Sequence, residues 1–216
     1  MNAIDNGSLT LIGLSVLLGV LPLGVVMTTS FTKFSIVLTL LRSALGVQQA
    51  PGNLAIAGLS LAATLVVMGP TVQRIDDALG LEDRMETHQL PSLPELVDAV
   101  RIPLGDFMMA HSRPDERAWF VTAAKRIDPT RDVKETDFPM LVPSFLISEI
   151  SSGFEAGFLL YIAFLVIDLV VANVLTAMGM MMLSPSTVSI PLKLFVLVAA
   201  SGIPKLMHAL VIGYAK

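Results

Sequence analysis

Hydrophobic and polar positions along this chain fall into long apolar runs, separated by short polar breaks and by one long polar stretch. Four runs, residues 9–29, 54–72, 157–183 and 188–203, come near or exceed the roughly 20 residues a helix needs to cross the hydrocarbon core of a bilayer. A fifth, residues 34–45, is shorter and carries Arg42. Pro22, Gly24 and Thr28-Thr29-Ser30 precede it, residue types that bend or loosen a helix, so 34–45 reads as the first helix continued past a break. Ala50-Pro51-Gly52-Asn53 turns the chain back. Leu183-Ser184-Pro185-Ser186-Thr187 separates the last two runs by too few residues for anything but a tight reversal. The pattern predicts an all-α, membrane-associated chain: a helical hairpin over residues 1–72, a polar helical insert over 73–140, and a second hairpin over 141–216.

Within the insert, Leu96, Val97, Val100, Leu104, Phe107 and Met108 recur at three- and four-residue spacings between Pro94 and His111. They predict one apolar helical face, bent by Pro103. A second helix is predicted from Asp115 to Ile127, with Asp115 and Glu116 at its start and Lys125 and Arg126 at its end, as the helix dipole prefers.

Composition sharpens this reading. Of 216 residues, 54% are hydrophobic and 15% charged, and mean hydropathy is +0.75, too apolar for an ordinary soluble domain. Residues 73–140 hold 9 of the 14 Lys and Arg and 14 of the 18 Asp and Glu, so the insert is water-exposed and acidic, which argues against nucleic-acid binding. The 30–53 loop has Lys33 and Arg42 and no acid, which places it in the cytoplasm and both termini and the insert outside. No Lys or Arg precedes residue 9, so the first run is expected to be retained rather than cleaved as a secretory signal. Cysteine is absent, which removes disulfides and thiolate chemistry. His88, His111 and His208 show no metal-ligand spacing. No serine-hydrolase, zinc-protease, phosphate-loop or dinucleotide motif occurs, so neither catalysis nor a cofactor is expected.

Two features invite a functional reading. Asp168 lies eleven residues into the 157–183 run, where a carboxylate costs on the order of 3 kcal/mol unless paired or protonated. Lys193 is its nearest cation in sequence. With the reversal centred near residue 185.5, the two differ by ten residues of helix, about 15 Å, and are expected to miss each other within one chain. Met178, Met181 and Met182 stand at i, i+3 and i+4, one arc of a helix, with Met180 pointing elsewhere. On the residues alone these thioethers are packing; they also suit a surface that must close and yield. Ser15-x-x-x-Gly19, Gly58-x-x-x-Ala62 and Gly153-x-x-x-Gly157 each allow another helix to approach closely.

Three stretches resemble the FliP/SctR family: Thr29-Ser30-Phe31-Thr32-Lys33 with Leu41-Arg42-Ser43-Ala44-Leu45-Gly46; Leu141-Val142-Pro143-Ser144-Phe145 through Ser148-Glu149; and Phe164-Leu165-Val166-Ile167-Asp168-Leu169-Val170 into Met178-Gly179-Met180-Met181-Met182 and Lys193-Leu194. The resemblance implies a core subunit of the type III secretion export gate in the bacterial inner membrane. Such subunits are helical hairpins assembled as a pentamer with two smaller membrane proteins (FliQ/SctS-like and FliR/SctT-like) into a cone raised toward the periplasm, through which unfolded proteins pass. It further implies that Met178, Met180, Met181 and Met182 form a gasket sealing the conduit. In such an assembly Asp168 or Lys193 is expected to pair across a subunit interface, with Lys33, Arg42, Glu149 and Glu155 as the other partners. The short amino terminus favours the injectisome branch. Ser201-Gly202-Ile203 stands where the family usually has Asp-Gly-Trp. The competing readings are an ion-coupled small-solute transporter using a buried Asp168 and, last, an intramembrane enzyme.

Overall fold

A computed structural model describes residues 15, 19, 22–47, 50–80, 93–180 and 182–215. All regular structure among the described residues is helical: α1 (Pro22–Thr28), α2 (Phe31–Leu45), α3 (Asn53–Leu79), α4 (Leu93–His111), α5 (Pro114–Ile127), α6 (Phe138–Ala177), α7 (Pro185–Ala199) and α8 (Gly202–Ile212). By length and apolarity α3 and α6 can each cross a membrane, and so can the bent pairs α1–α2 and α7–α8 if each is one span.

The predicted break after the first run is present, and α1 meets α2 at 83°. Hydroxyls make it possible. Thr28 and Thr29 donate back to the carbonyls of Gly24 and Val25 at 2.8 and 2.6 Å, bonds that bend a helix, and Thr32 reaches across the break to the Val26 carbonyl at 2.7 Å, which the helix end would leave bare. The second bent pair is sharper in its demands. Between α7 and α8 the chain turns by 60° at Ser201, which takes φ +51°. A Cβ at Gly202 would lie 2.6 Å from Leu197 Cδ1 and 3.1 Å from the Leu197 carbonyl, so the bend closes only over a glycine. The carboxy-terminal helix α8 itself has no counterpart among the predicted elements.

The long helix α6 has 40 residues, about 60 Å at 1.5 Å per residue, twice the roughly 30 Å hydrocarbon core. Its second half carries the apolar run. Its first half joins the insert: Leu141 and Phe145 form a core with Met68 of α3 and Phe107 and Met108 of α4. The insert helices fall close to their predicted bounds, and α5 carries the expected acids at its start and bases at its end. On α4 the predicted apolar face is only partly the packed one. Val97 and Val100 are exposed, while Ala99, Phe107 and Met108 are buried, because the row facing neighbouring helices runs through Ala99, Pro103 and Phe107 at four-residue steps.

Helix α2 is the hub. One face packs Phe34 and Val37 against Ala63 of α3 and Leu210 of α8. Its far end packs Leu41, Ala44 and Leu45 against Phe164 of α6 and Leu197 of α7. The closest approach uses one of the three small-residue motifs. A Cβ at Gly153 would lie 3.2 Å from Ile36 Cγ2, and one at Gly157 would lie 2.9 Å from Leu40 Cβ and closer still to Leu40 Cδ1. Gly19 and Gly58 have open space instead. The 153–157 motif is therefore occupied within the chain.

Candidate functional site

The methionine segment is a connector rather than a helical arc. Helix α6 ends at Ala177, and Gly179 takes φ +71°. The Gly179 and Met180 N–H groups donate back to the carbonyls of Thr176 and Leu175 at 3.0 and 2.9 Å, the hydrogen-bond pair that closes a helix on a left-handed glycine. Past that point i, i+3, i+4 geometry no longer applies, so Met178 and Met182 do not share a helix face. Met181 lies outside the described residues. Met178, Met180 and Met182 are 66%, 45% and 102% exposed, so no packing within the chain accounts for them.

That early helix end also corrects the expected separation of Asp168 and Lys193. Lys193 Nζ lies 2.6 Å from Asp168 Oδ2 within one chain. The sequence argument ran α6 on to residue 183 and centred the reversal near 185.5. With α6 ending at 177 and α7 starting at 185, the centre falls near residue 181, Asp168 stands nine residues before one helix end and Lys193 eight past the other start, and the offset disappears. The Lys193 side chain is buried and that of Asp168 is 39% exposed. The same ammonium donates to the Ala44 carbonyl at 2.8 Å, in the last turn of α2, where helix carbonyls lack partners and favour a cation. One lysine thus ties α2, α6 and α7 together, a little over two helical turns from the methionine connector.

The other ionisable residues have partners within the chain as well. Arg42 donates to Asn53 Oδ1 at 2.6 Å and to the Pro51 carbonyl at 3.3 Å, holding the α2–α3 turn. Both carboxylate oxygens of Glu155 accept from the one Arg113 Nη2, each at 2.7 Å, at the exposed side of α6. Buried Glu149 accepts a hydrogen bond from the Tyr214 hydroxyl. Lys33 places its Nζ 4.4 Å above the Tyr214 ring. The premise that these charges need a neighbouring subunit is therefore removed. Arg113 and Tyr214 were not singled out in the sequence, because their partners lie 42 and 65 residues away and no local pattern announces such pairs.

Large exposed apolar side chains cover the second half of α6 and the outer face of α7, among them Phe158, Leu159, Val166, Leu169, Phe195 and Val198. Contiguous apolar surface of this kind is covered by lipid or by other protein. The described residues include no group of three acidic or histidine side chains placed to hold a metal.

Comparison with known proteins places this architecture. Residues 14–210 match the FliP family. The chain is 45% identical to the flagellar biosynthetic protein FliP of Caulobacter vibrioides over 89% of its length and 71% of that protein. It is 43% identical to Yop proteins translocation protein R of Yersinia pestis over 92% of each chain, and 38% identical to virulence protein YscR of Salmonella typhimurium over 93% of its own length and 94% of the relative's. With the family match spanning nearly the whole chain and both flagellar and virulence relatives aligned across hairpins and insert alike, the chain belongs to the FliP family of type III secretion export-apparatus proteins.

Proposed function

We propose that the chain is a channel-forming subunit of a type III protein export gate in the bacterial inner membrane, and that the methionine connector between α6 and α7 closes the conduit. The observation that carries this reading is the exposure of Met178, Met180 and Met182 on a connector that opens with the hydrogen-bonded Gly179 helix end, between two helices joined further along by the Lys193–Asp168–Ala44 tie. Flexible, polarizable tips on a firm base are what a deformable seal requires. Repeated by symmetry in a ring, pentameric in this reading and completed by two smaller membrane partners of FliQ and FliR type, the tips meet on an axis. An unfolded substrate pushes them aside, and they close again behind it. In this reading energy for transport comes from elsewhere in the apparatus. Asp168 counts against the transporter reading, because its carboxylate is already neutralised by Lys193.

The cysteine-free sequence makes the test direct. Met182→Cys, introduced into the chain co-expressed with its partners and oxidised in native membranes, is expected to give disulfide-linked dimers, since bridging needs Cα atoms within about 7 Å. Leu65→Cys, on the exposed side of α3, serves as the comparison. If Met182→Cys stays monomeric and instead reacts only with lipid-soluble reagents, the connector faces acyl chains and the seal is wrong.

A further inference from the structure

The carboxy-terminal segment is held by a histidine whose two ring nitrogens both face carbonyl oxygens. His111, the last residue of α4, places Nδ1 2.8 Å from the Phe107 carbonyl and Nε2 3.3 Å from the Tyr214 carbonyl. A neutral imidazole has one N–H, and its other nitrogen is an acceptor. In that form one of these two contacts sets a nitrogen lone pair against a carbonyl oxygen; only the imidazolium donates to both. Two aromatic rings lie beside it, both tilted to its plane, with the Phe107 centroid at 4.5 Å and the Tyr214 centroid at 5.1 Å.

We infer that His111 is a proton-operated latch for the carboxy-terminal segment: when doubly protonated it clasps the Tyr214 carbonyl and holds α8 against α2 and α3, and when neutral it keeps only one of its two contacts and holds the segment less firmly. The groups around the ring line a cavity of about 220 Å³. Glu149 on α6 faces the ring and carries the nearest acid; Lys33 on α2 and Arg113, just past α4, are the cations; Glu155 on α6 is taken up by Arg113. Tyr214 is the common element, bonded through its hydroxyl to Glu149, lying under Lys33, and packed near Phe34 and Phe107. Its release would unseat Leu210 and Val211 from the core that joins α2, α3 and α8, so a proton taken up at the insert side of the molecule changes the seating of its last helix.

Amide hydrogen exchange on the full chain in detergent tests this. Protection at residues 206–215, normalised at each pH to the rate of an unstructured peptide, is expected to fall about tenfold between pH 5 and pH 8, the loss of one charged hydrogen bond. In His111→Gln, which keeps one neutral donor, the profile is expected to be flat. A flat profile in the native chain, or the same fall in His111→Gln, would overturn the latch. A readout without a variant at His111 comes from ring-nitrogen NMR in a His88→Gln/His208→Gln background. The latch predicts that both nitrogens of His111 carry protons at the low-pH end and that one proton is lost over the interval in which protection falls; a ring neutral throughout that interval overturns it.

Discussion

Gly157→Ala places the account of the fold under the most direct stress. A Cβ at this position lies 2.9 Å from Leu40 Cβ and nearer to Leu40 Cδ1, and Leu40 belongs to the hub helix, so neither backbone can retreat without disturbing two cores. Overpacking of this kind costs about 1–3 kcal/mol. The alanine also gains about 1 kcal/mol of helix propensity over glycine, which leaves a net change from about zero to 2 kcal/mol destabilising. Two companion substitutions make the sign decisive. Gly58→Ala meets nothing within 4 Å and is expected to stabilise by up to about 1 kcal/mol. Gly153→Ala meets Ile36 Cγ2 at 3.2 Å and falls between the two. In a Leu40→Ala background the Cδ1 contact is gone and only the Cβ contact at 2.9 Å remains, so Gly157→Ala should become less harmful, a coupling of about 0.5–3 kcal/mol in the double-mutant cycle. Unfolding in mixed detergent, followed by helical circular dichroism, measures all of these. Equal effects of Gly157→Ala and Gly58→Ala, with no coupling to Leu40, would refute the packing of α2 against α6.

Asp168→Asn leaves the buried Lys193 ammonium without a counter-charge, facing only the Ala44 carbonyl and a neutral amide, and is expected to cost about 1–3 kcal/mol in the same unfolding assay, while Asp168→Leu with Lys193→Met should recover most of that loss; additive losses would argue against the pair. Glu155→Gln, at an exposed pair with Arg113, should cost less than about 1 kcal/mol and serves as the contrast. Tyr214→Phe leaves the buried Glu149 carboxyl without its hydroxyl donor and is expected to destabilise by about 1–3 kcal/mol, with loss of exchange protection concentrated in α8. Gly179→Val forces a β-branched residue to φ +71°; it should fray the end of α6 and weaken the lysine tie, visible as faster exchange at residues 170–177.

Much of this was written in local chemistry. The α1–α2 break falls at the Thr28-Thr29-Ser30 run, where the two threonine hydroxyls bond back to carbonyls four residues earlier. The insert helices follow from their periodicity and from the charges at the ends of α5. What escaped has a common cause. Reading residues 157–183 as one apolar run gave hydropathy priority over Gly179, the helix stop inside it, and that single choice moved the reversal by four to five residues and separated Asp168 from Lys193. The glycine was a legible signal; the methionines around it are equally apolar in a helix or a loop and masked it. The charge network around Tyr214 was not legible at all, since Arg113, Glu149 and His111 are brought together only by the packing of α4, α6 and the carboxy-terminal segment. Helix α8 was missed because Ser201-Gly202 reads as a terminator, whereas here it is a corner that another helix follows.

The central claim is that exposed thioethers on the α6–α7 connector close a shared conduit, and ion leak measures this most directly. With the chain assembled among its partners in the inner membrane, Met178→Ala, Met180→Ala and Met182→Ala combined should shorten every described tip while leaving the Lys193 tie intact. The account predicts a clear rise in ion conductance across cells expressing the triple variant at native levels, with assembly preserved. A fully assembled complex whose conductance stays at the native level would contradict it.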